Sequence, residues 1–384
     1  MENLQKKIIA IRRHIHSYPE LGGEEFATSR YIKSVLATLN IPARIVAKTG
    51  VIGILQSDKK SPCIAFRADI DALPVTENTK KSYSSKRAGV MHACGHDANT
   101  AIVLGAAMIL SELKPDLTVK FIFQPNEENA GGADAIIRSG ALTKPKVDAI
   151  FGVHVNPQLP PGTIGIRRAE MMAAVDRIKI ELSGGGGHAA APHTGRDTVI
   201  AASKLIMNLQ TIVSRKIDPT EPAVISICKI SGGTRFNVLA EKVELEGTVR
   251  TLNERTRKNI KLLITEELKN IANTSKLKFK LRYESLGEPL INDEKMLSFA
   301  VESAEKVVGK EGAIYISKPS MGGEDFAQYL KRVPGCFIYV GSMLKNNPKP
   351  WHHPEFDINE KALITGAKVL AQIAVDYAGK WDAF

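Results

Sequence analysis

The sequence predicts an α/β protein with a doubly wound mixed sheet and an inserted α+β domain. In residues 1–173, short apolar runs alternate with helical patterns, which is typical of a doubly wound sheet. From Ala174 the pattern changes to a strict period of two, which is typical of strands with one buried face. After residue 286 helical patterns and a buried apolar strand return, so the first domain is completed by the end of the chain.

The first domain is predicted over residues 1–173 and 286–384. Its predicted strands are buried apolar runs, at 63–66, 119–123, 149–153 and 336–340. Its predicted helices follow apolar residues at helical spacing, at 4–15, 97–113, 294–308 and after 357.

Residues 174–285 are predicted to form the inserted domain. Its elements alternate in the order strand, helix, strand, strand, helix, strand, at 175–182, 197–214, 223–227, 242–249, 254–273 and 277–283. This order is that of the ferredoxin-like split unit.

The composition argues against membrane, secreted and nucleic-acid-binding classes. Of the 384 residues, 43% are hydrophobic and 24% charged, as in globular proteins, and no apolar run has the length of a membrane span. The start at Met1 lacks the apolar core of a secretory signal, so we expect a cytoplasmic protein. The net charge of +11 is dispersed among acidic residues, which predicts no nucleic-acid partner and a mild preference for anionic substrates.

The cysteines predict no disulfide framework. They are few and widely spaced, at Cys63, Cys94, Cys228 and Cys336. One of them has a metal-site spacing, because Cys94 and His96 stand two residues apart just before a predicted helix. Asp97 is a suitable N-cap for that helix, and the helix dipole favours an ionised Cys94.

Further ligand types follow the neighbouring strands. Carboxylates and an imidazole stand at the predicted strand ends: Asp69, Asp71, Glu127, Glu128 and His154. A histidine pair, His352 and His353, follows the last strand, and spacing alone leaves open which one is a ligand. Because the carboxyl ends of parallel strands meet at one edge of a sheet, we expect these groups to form one constellation.

This set of nitrogen, oxygen and sulfur donors predicts two divalent metal ions that share the sulfur of Cys94. It suits zinc best and also accepts manganese, cobalt or nickel. Glu127 stands beside the candidate ligand Glu128 and is the predicted general base. Asp71 is predicted to orient one of the metal ligands without contacting the metal itself.

Seven motifs are spread over nearly the whole chain, at 67–74, 91–97, 124–128, 152–154, 187–193, 322–326 and 352–357. Through them the sequence resembles the amidohydrolase branch of the dinuclear-metal aminoacylase and carboxypeptidase G superfamily. That branch includes hippurate hydrolases, N-acyl-amino-acid hydrolases and plant auxin-conjugate hydrolases. The resemblance implies metal ligation by the residues that match the family's ligands, namely Cys94, His96, Glu128, His154 and His352. It also implies that Glu127 is the base.

The resemblance further implies that the inserted domain is a lid and a homodimerisation module. His188, in the glycine-rich segment 183–188, then stabilises the oxyanion, in some relatives from the partner subunit. That segment lacks the lysine and hydroxyl of a phosphate-binding loop. Asn237 and Arg250 match positions that hold the carboxylate of the substrate, which suits a guanidinium group.

The predicted activity is metal-dependent hydrolysis of an N-acyl amino acid to a carboxylic acid and a free amino acid. The substrate is thus a small molecule. Asn99, Asn126 and Asn129 depart from the family's pattern near the metals, which bears on acyl preference or metal choice. The alternatives are a dipeptidase or carboxypeptidase, and a binding protein without catalysis. The intact Glu127 argues against the last of these.

Overall fold

The computed structural model describes residues 2–57, 61–346 and 348–380. The α-helices, numbered along the chain, are α1 (Glu2–Ser17), α2 (Phe26–Thr38), α3 (His96–Leu113), α4 (Gly132–Arg138), α5 (Thr198–Thr211), α6 (Glu254–Ser275), α7 (Glu294–Val308), α8 (Ala327–Leu330) and α9 (Lys361–Lys380). Short 3-10 turns and one π-helical turn also occur, at Pro192–Thr194, Lys310–Gly312 and Ile212–Lys216.

The strands of the larger sheet are β1 (Ala43–Val46), β2 (Gly50–Leu55), β3 (Cys63–Asp69), β4 (Thr118–Gln124), β5 (Ala149–Asn156), β6 (Ile164–Ile166), β15 (Ala313–Tyr315) and β16 (Gly335–Gly341). The remaining strands are β7 (Glu170–Met172), β8 (Ala174–Ser183), β9 (Gly187–His188), β10 (Ala223–Gly232), β11 (Val238–Leu239), β12 (Lys242–Thr251), β13 (Lys278–Gly287) and β14 (Leu290–Ile291).

The chain forms two compact units. The larger unit comprises Met1–Ala169, Ile291–Lys318 and Asp325–Phe384, and the smaller comprises Glu170–Leu290 and Pro319–Glu324. The sequence placed the segment 319–324 in the first domain, whereas the structure groups it with the smaller unit. The reason is hydrogen bonding, because the backbone N–H of Ala173 donates to the carbonyls of Ser320 and Gly322.

The larger unit contains the predicted mixed sheet, which is confirmed. Its strand order is β1-β2-β4-β3-β5-β16-β6-β15. The central strands β4, β3, β5 and β16 are parallel to one another, and β1 and β2 pair antiparallel at one side. Strands β3, β4, β5 and β16 are buried along their whole length, which explains why their sequences are near-continuous apolar runs.

Helices α1, α3, α7 and α9 contribute to the core of the larger unit. Two glycines allow close helix packing there. A Cβ atom at Gly105 of α3 would lie 2.6 Å from Ile8 of α1, and one at Gly366 of α9 would lie 2.8 Å from Ile102. The helices therefore approach each other more closely than any larger residue would permit.

The smaller unit has an antiparallel sheet with the order β10-β12-β8-β13. Buried and half-buried residues alternate along β8, and the buried ones form a core with α5 and α6. The predicted order of strand, helix, strand, strand, helix, strand is present here, with the short β9 and β11 added. Across the described residues, no helix has both the length and the hydropathy needed to span a bilayer.

Candidate metal centre

The carboxyl ends of β4, β3 and β5 carry the predicted ligand types along one edge of the larger sheet. Asp69 ends β3, and Asp71 follows it two residues later. Glu127 and Glu128 follow the end of β4. His154 lies within β5, because that strand continues three residues beyond the predicted end. The structure thus brings the predicted strand-end residues to one place.

Gly95 sets the direction in which Cys94 and His96 point. It has a φ of +95° and stands just before α3, which begins at His96. A Cβ atom at Gly95 would lie 2.5 Å from Cγ2 of Val155. Both the left-handed backbone and the lack of space require glycine between the two candidate ligands.

The predicted N-cap role of Asp97 is wrong. The N-cap position is Gly95, and Asp97 lies within the first turn of α3. Its carboxylate accepts hydrogen bonds from Nε of Arg12 at 2.7 Å and from Nδ1 of His16 at 2.8 Å. Asp97 is fully buried, so its charge is balanced by the buried Arg12 rather than by the helix end.

The candidate ligands form two groups that share Cys94. Cys94, His96 and His154 form the first group, and Cys94, Glu128 and His352 form the second. Within each group the ligand atoms lie within 4.8 Å of one another. Sγ of Cys94 is 3.6 Å from Nε2 of His154, and Oε1 of Glu128 is 3.6 Å from Nε2 of His352. A sulfur shared in this way is suited to contact two cations.

The two neighbouring histidines differ in their surroundings. His352 belongs to the second ligand group, and its backbone N–H donates to the carbonyl of Ala93 at 2.7 Å. Nδ1 of His353 instead accepts the backbone N–H of Glu355 at 3.0 Å. The sequence spacing did not decide which histidine is the candidate ligand, and the geometry favours His352.

Burial penalises the charged forms of several of these groups. It raises the pKa of the Cys94 thiol well above its usual value. It lowers the pKa of His154 to about 4, which keeps this imidazole neutral. It also raises the pKa of Glu128. A thiolate and a carboxylate here need a compensating cation.

Two buried atoms lack the partner that a cation would supply. Nε2 of His96 and Oε1 of Glu128 make no hydrogen bond within residues 2–57, 61–346 and 348–380. Nδ1 of His96 lies 2.9 Å from the carbonyl oxygen of Asp71 and donates to it, so Nε2 is the ring nitrogen that can face a cation. Imidazole, carboxylate and thiolate donors of this kind fit two divalent cations.

Asp71 contacts two of the candidate ligands, His96 and Glu128. Its Oδ1 lies 3.2 Å from Nδ1 of His96, and its Oδ2 accepts the backbone N–H of Glu128 at 3.0 Å. One carboxylate thus links a ligand of the first group to the backbone of a ligand of the second. Such outer contacts fix the orientation of metal ligands.

Glu127 is half-buried next to both groups. Its carboxylate lies within 4.8 Å of ligand atoms of His96 and Glu128. The backbone N–H of Asp325 lies 3.4 Å from Oε1 of Glu127. Neighbouring residues of one turn thus present two carboxylates at the same site.

A buried polar network beneath the ligands was not predicted from the sequence. The Arg67 guanidinium donates to Asp69, Gln124 and Asp325 over 2.8 to 3.0 Å. Asn99 donates to Asp69 at 2.8 Å and accepts the backbone N–H of Val155 at 2.9 Å. The available signal was an arginine inside an otherwise apolar strand.

Asp69 remains an anion in this network. Burial opposes the charge, but the Arg67 guanidinium and the hydrogen bond from Asn99 favour the carboxylate and lower the pKa of Asp69. Asn99, one of the departures from the family's pattern, therefore has a defined role. Its amide links the carboxylate of Asp69 to the strand that carries His154.

Three further predicted site residues belong to the smaller unit. His188 is exposed in β9, which pairs with β11, and the backbone N–H of Ala189 donates to the carbonyl of Asn237 at 3.2 Å. His188 and Asn237 therefore lie in adjoining segments of one surface. Arg250 is half-buried in β12, its Nε donates to Thr248 at 3.0 Å, and among the described residues it forms no ion pair.

Comparison with known proteins identifies the family. The family model described as Peptidase family M20/M25/M40 matches residues 65–376. The chain belongs to this M20/M25/M40 family. The resemblance inferred from the motifs is thereby confirmed.

Relatives of this M20/M25/M40 member include an N-acetyl-L-cysteine deacetylase of Bacillus subtilis (strain 168). It is 42% identical over 377 residues, which cover 97% of this chain and 89% of the relative. IAA-amino acid hydrolase ILR1-like 4 of Arabidopsis thaliana is 38% identical, covering 96% of this chain and 85% of the relative. A solved structure of a dinuclear metal binding peptidase of the M20 family from Bacillus subtilis has a TM-score of 0.85 and 35% identity, covering 99% of both chains. This M20/M25/M40 member is therefore a hydrolase of amide bonds.

Proposed function

We propose that the protein hydrolyses the amide bond of N-acyl amino acids and releases a carboxylic acid and a free amino acid. The observation that carries this proposal is the pair of ligand groups sharing Cys94, with the carboxylate of Glu127 beside them. The names of the relatives, an N-acetyl-L-cysteine deacetylase and an IAA-amino acid hydrolase, support the substrate class.

The five residues of the two ligand groups would hold the metals. Cys94, His96 and His154 would bind one ion, and Cys94, Glu128 and His352 the other. Zinc fits this donor set best, and manganese, cobalt and nickel are accepted by the same ligands. When bound, two such ions polarise an amide carbonyl and lower the pKa of water.

Glu127 is the proposed general base. Its carboxylate takes one proton from the attacking water as the new carbon–oxygen bond forms. The same carboxyl group then gives that proton to the leaving amine nitrogen as the carbon–nitrogen bond breaks. Glu127 thus ends the cycle as it began, deprotonated.

The smaller unit supplies the proposed substrate contacts. His188 is proposed to donate a hydrogen bond to the oxyanion of the tetrahedral intermediate. Asn237 and Arg250 are proposed to bind the carboxylate of the amino acid moiety. The half-buried guanidinium of Arg250, without an ion pair in the described part of the chain, suits an anionic ligand.

A cytoplasmic location and a homodimer formed through the smaller unit stay predictions of the sequence. Sedimentation velocity tests the second of them directly. A mass of 41.8 kDa at all concentrations would contradict the dimer.

The test of the proposed function is a substrate panel with the metal-reconstituted protein. The panel contains N-acetyl amino acids, N-benzoyl amino acids and dipeptides, and Glu127→Gln is measured beside the wild type. We expect hydrolysis of the acyl amino acids, a loss of about 10³-fold or more in kcat for Glu127→Gln, and equal metal content in both proteins. Faster cleavage of dipeptides would favour the peptidase alternative. Inactivity of a fully metal-loaded wild type on every substrate would contradict the proposal.

A further inference from the structure

The turn that carries Glu127 is held by a carboxylate outside the ligand groups. Glu25 is fully buried at the start of α2. Its Oε1 accepts the backbone N–H of Asn126 at 2.8 Å, and its Oε2 accepts the hydroxyl of Thr49 at 2.6 Å. Although Glu25 occupies the N-cap position of α2, its side chain makes no capping hydrogen bond to that helix. Its carboxylate is therefore directed to the turn that begins at residue 126.

Hydrogen bonds hold the backbone of the turn on both sides of Glu127. Glu25 binds the N–H of Asn126, the residue before it, and Asp71 binds the N–H of Glu128, the residue after it. Asn126 has a φ of +57°, a left-handed conformation that few residues other than glycine adopt readily. The two carboxylates therefore fix the peptide groups that set the direction of the Glu127 side chain.

The loop before α2, residues 20–25, also contacts this turn. A Cβ atom at Gly22 would lie 2.4 Å from Oδ1 of Asn126 and 2.8 Å from Nδ2 of Asn129. The loop is also tied to the sheet edge, because the backbone N–H of Ala72 donates to the carbonyl of Glu20 at 2.8 Å. Residues 20–25 thus lie directly against the turn and are hydrogen-bonded to the strand end beside Asp71.

We propose that Glu25 is a positioning residue that holds Glu127 in its reactive orientation. This inference rests on the proposed function, in which Glu127 is the base. Asn126 and Thr49 both donate hydrogen bonds to Glu25, and neither is a candidate metal ligand. The loss of Glu25 should therefore lower kcat while metal content and KM change little. Burial raises the pKa of Glu25, and the hydrogen bond from the hydroxyl of Thr49 opposes that shift.

The experiment compares Glu25→Ala with Glu25→Gln, with the exposed neighbour changed in Glu24→Ala as the matched control. Glutamine keeps an oxygen that can accept the N–H of Asn126, whereas alanine does not. For an acyl amino acid that the wild type cleaves, we expect kcat to fall by about 10²-fold in Glu25→Ala, since a misplacement near 1 Å has this effect. KM and the two metal equivalents should stay within about twofold, because the substrate contacts and ligands are unchanged. Glu25→Gln should recover most of kcat, and Glu24→Ala should match the wild type.

An unchanged kcat in Glu25→Ala, or a loss that glutamine does not restore, would overturn the proposal, as would a loss that follows the metal content. If Glu25→Ala does not fold, Thr49→Val is the second variant, because it removes one donor from the same carboxylate at nearly constant volume. An unchanged kcat in Thr49→Val would also overturn the proposal. A readout independent of activity is amide hydrogen exchange of the segment 124–130, which should quicken in Glu25→Ala but not in Glu25→Gln. Unchanged exchange would contradict the positioning role even if the wild type were inactive. Full activity of Glu127→Gln in the same assay would instead refute the assignment of the base.

Discussion

Arg12 and Asp97 form an ion pair of 2.7 Å in which neither side chain is more than 1% exposed. Arg12 also donates to Asp357 at 2.9 Å. One guanidinium thus joins α1, the first turn of α3 and the segment that follows His352. These are the segments that bring Cys94 and His96 together with His352, although they are far apart in the chain.

Arg12→Leu should destabilise the protein by about 3–5 kcal/mol, because the buried carboxylates of Asp97 and Asp357 both lose the guanidinium that balances their charge. Urea unfolding at pH 7 measures this change. The control is Arg13→Leu, since Arg13 is 45% exposed and pairs with Glu360 at the surface. That substitution should cost no more than about 1 kcal/mol. Equal losses for the two variants would contradict the buried role of Arg12.

Glu77 should make stability depend on pH in the acid range. Burial opposes its charge, but hydrogen bonds from His16, Thr79 and the backbone N–H of Ser85 outweigh it and lower the pKa of Glu77 to about 2. A lowered carboxyl pKa stabilises the folded state above about pH 4.5, and that contribution is lost as the pH falls towards 2.

Glu77→Gln should therefore lower the free energy of unfolding by about 2–3 kcal/mol at pH 5, with the difference from the wild type shrinking steadily by pH 3. Below pH 5 His16 is protonated in both states because its folded pKa is raised, so Glu77 dominates the comparison. Denaturant titrations at several pH values give the curve, with Glu24→Gln as an exposed control. A difference independent of pH would show that the loss is steric.

Gly95→Ala should weaken metal binding as well as stability. Alanine would have to adopt a φ of +95° and place a methyl group 2.5 Å from Val155. We expect a stability loss of about 1–3 kcal/mol and a displaced Cys94 or His96. Gly89→Ala separates the two causes, since Gly89 has a φ of +74° but open space at its Cβ position. Chelator competition should show weaker metal affinity only in Gly95→Ala, and equal affinities would contradict the steric argument.

Cys94→Ser should remove bound metal and activity together. The serine hydroxyl does not ionise at neutral pH, so it cannot replace a thiolate shared by two cations. Elemental analysis should find less than one equivalent of metal per chain in place of two. Cys228→Ser is the control because Cys228 is exposed and outside both ligand groups. Retention of two metals by Cys94→Ser would refute the shared-sulfur site.

The sequence was sufficient to predict the strand ends that carry the candidate site. Strands β3, β4 and β5 are buried along their length and mostly apolar in sequence, so the carboxylates of Asp69 and Glu127 mark where β3 and β4 end. The Cys-x-His spacing at Cys94 is also a local pattern. Local patterns of this kind do not require knowledge of which segments meet in the fold.

The contacts that support the site could not be predicted, because their partners are remote in sequence. Arg12 binds a residue 85 positions away, and Glu25 binds the backbone of Asn126 across 101 positions. Asp97 illustrates the resulting error, since its local position predicts a helix cap whereas tertiary packing gives it Arg12 instead. The short helix α2 and the strands β1 and β2 were likewise not predicted.

The central position of β16 affects how the chain folds during synthesis. Strand β5 pairs with β3 on one side and with β16 on the other, and about 180 residues separate the end of β5 from the start of β16. At a ribosomal rate of ~5–20 residues per second, the edge of β5 stays unpaired for roughly 10–40 s before β16 has been synthesised. His352 follows β16, so the complete set of candidate ligands exists only after that strand has been made. Metal uptake by both groups is therefore a late event in the maturation of the nascent protein.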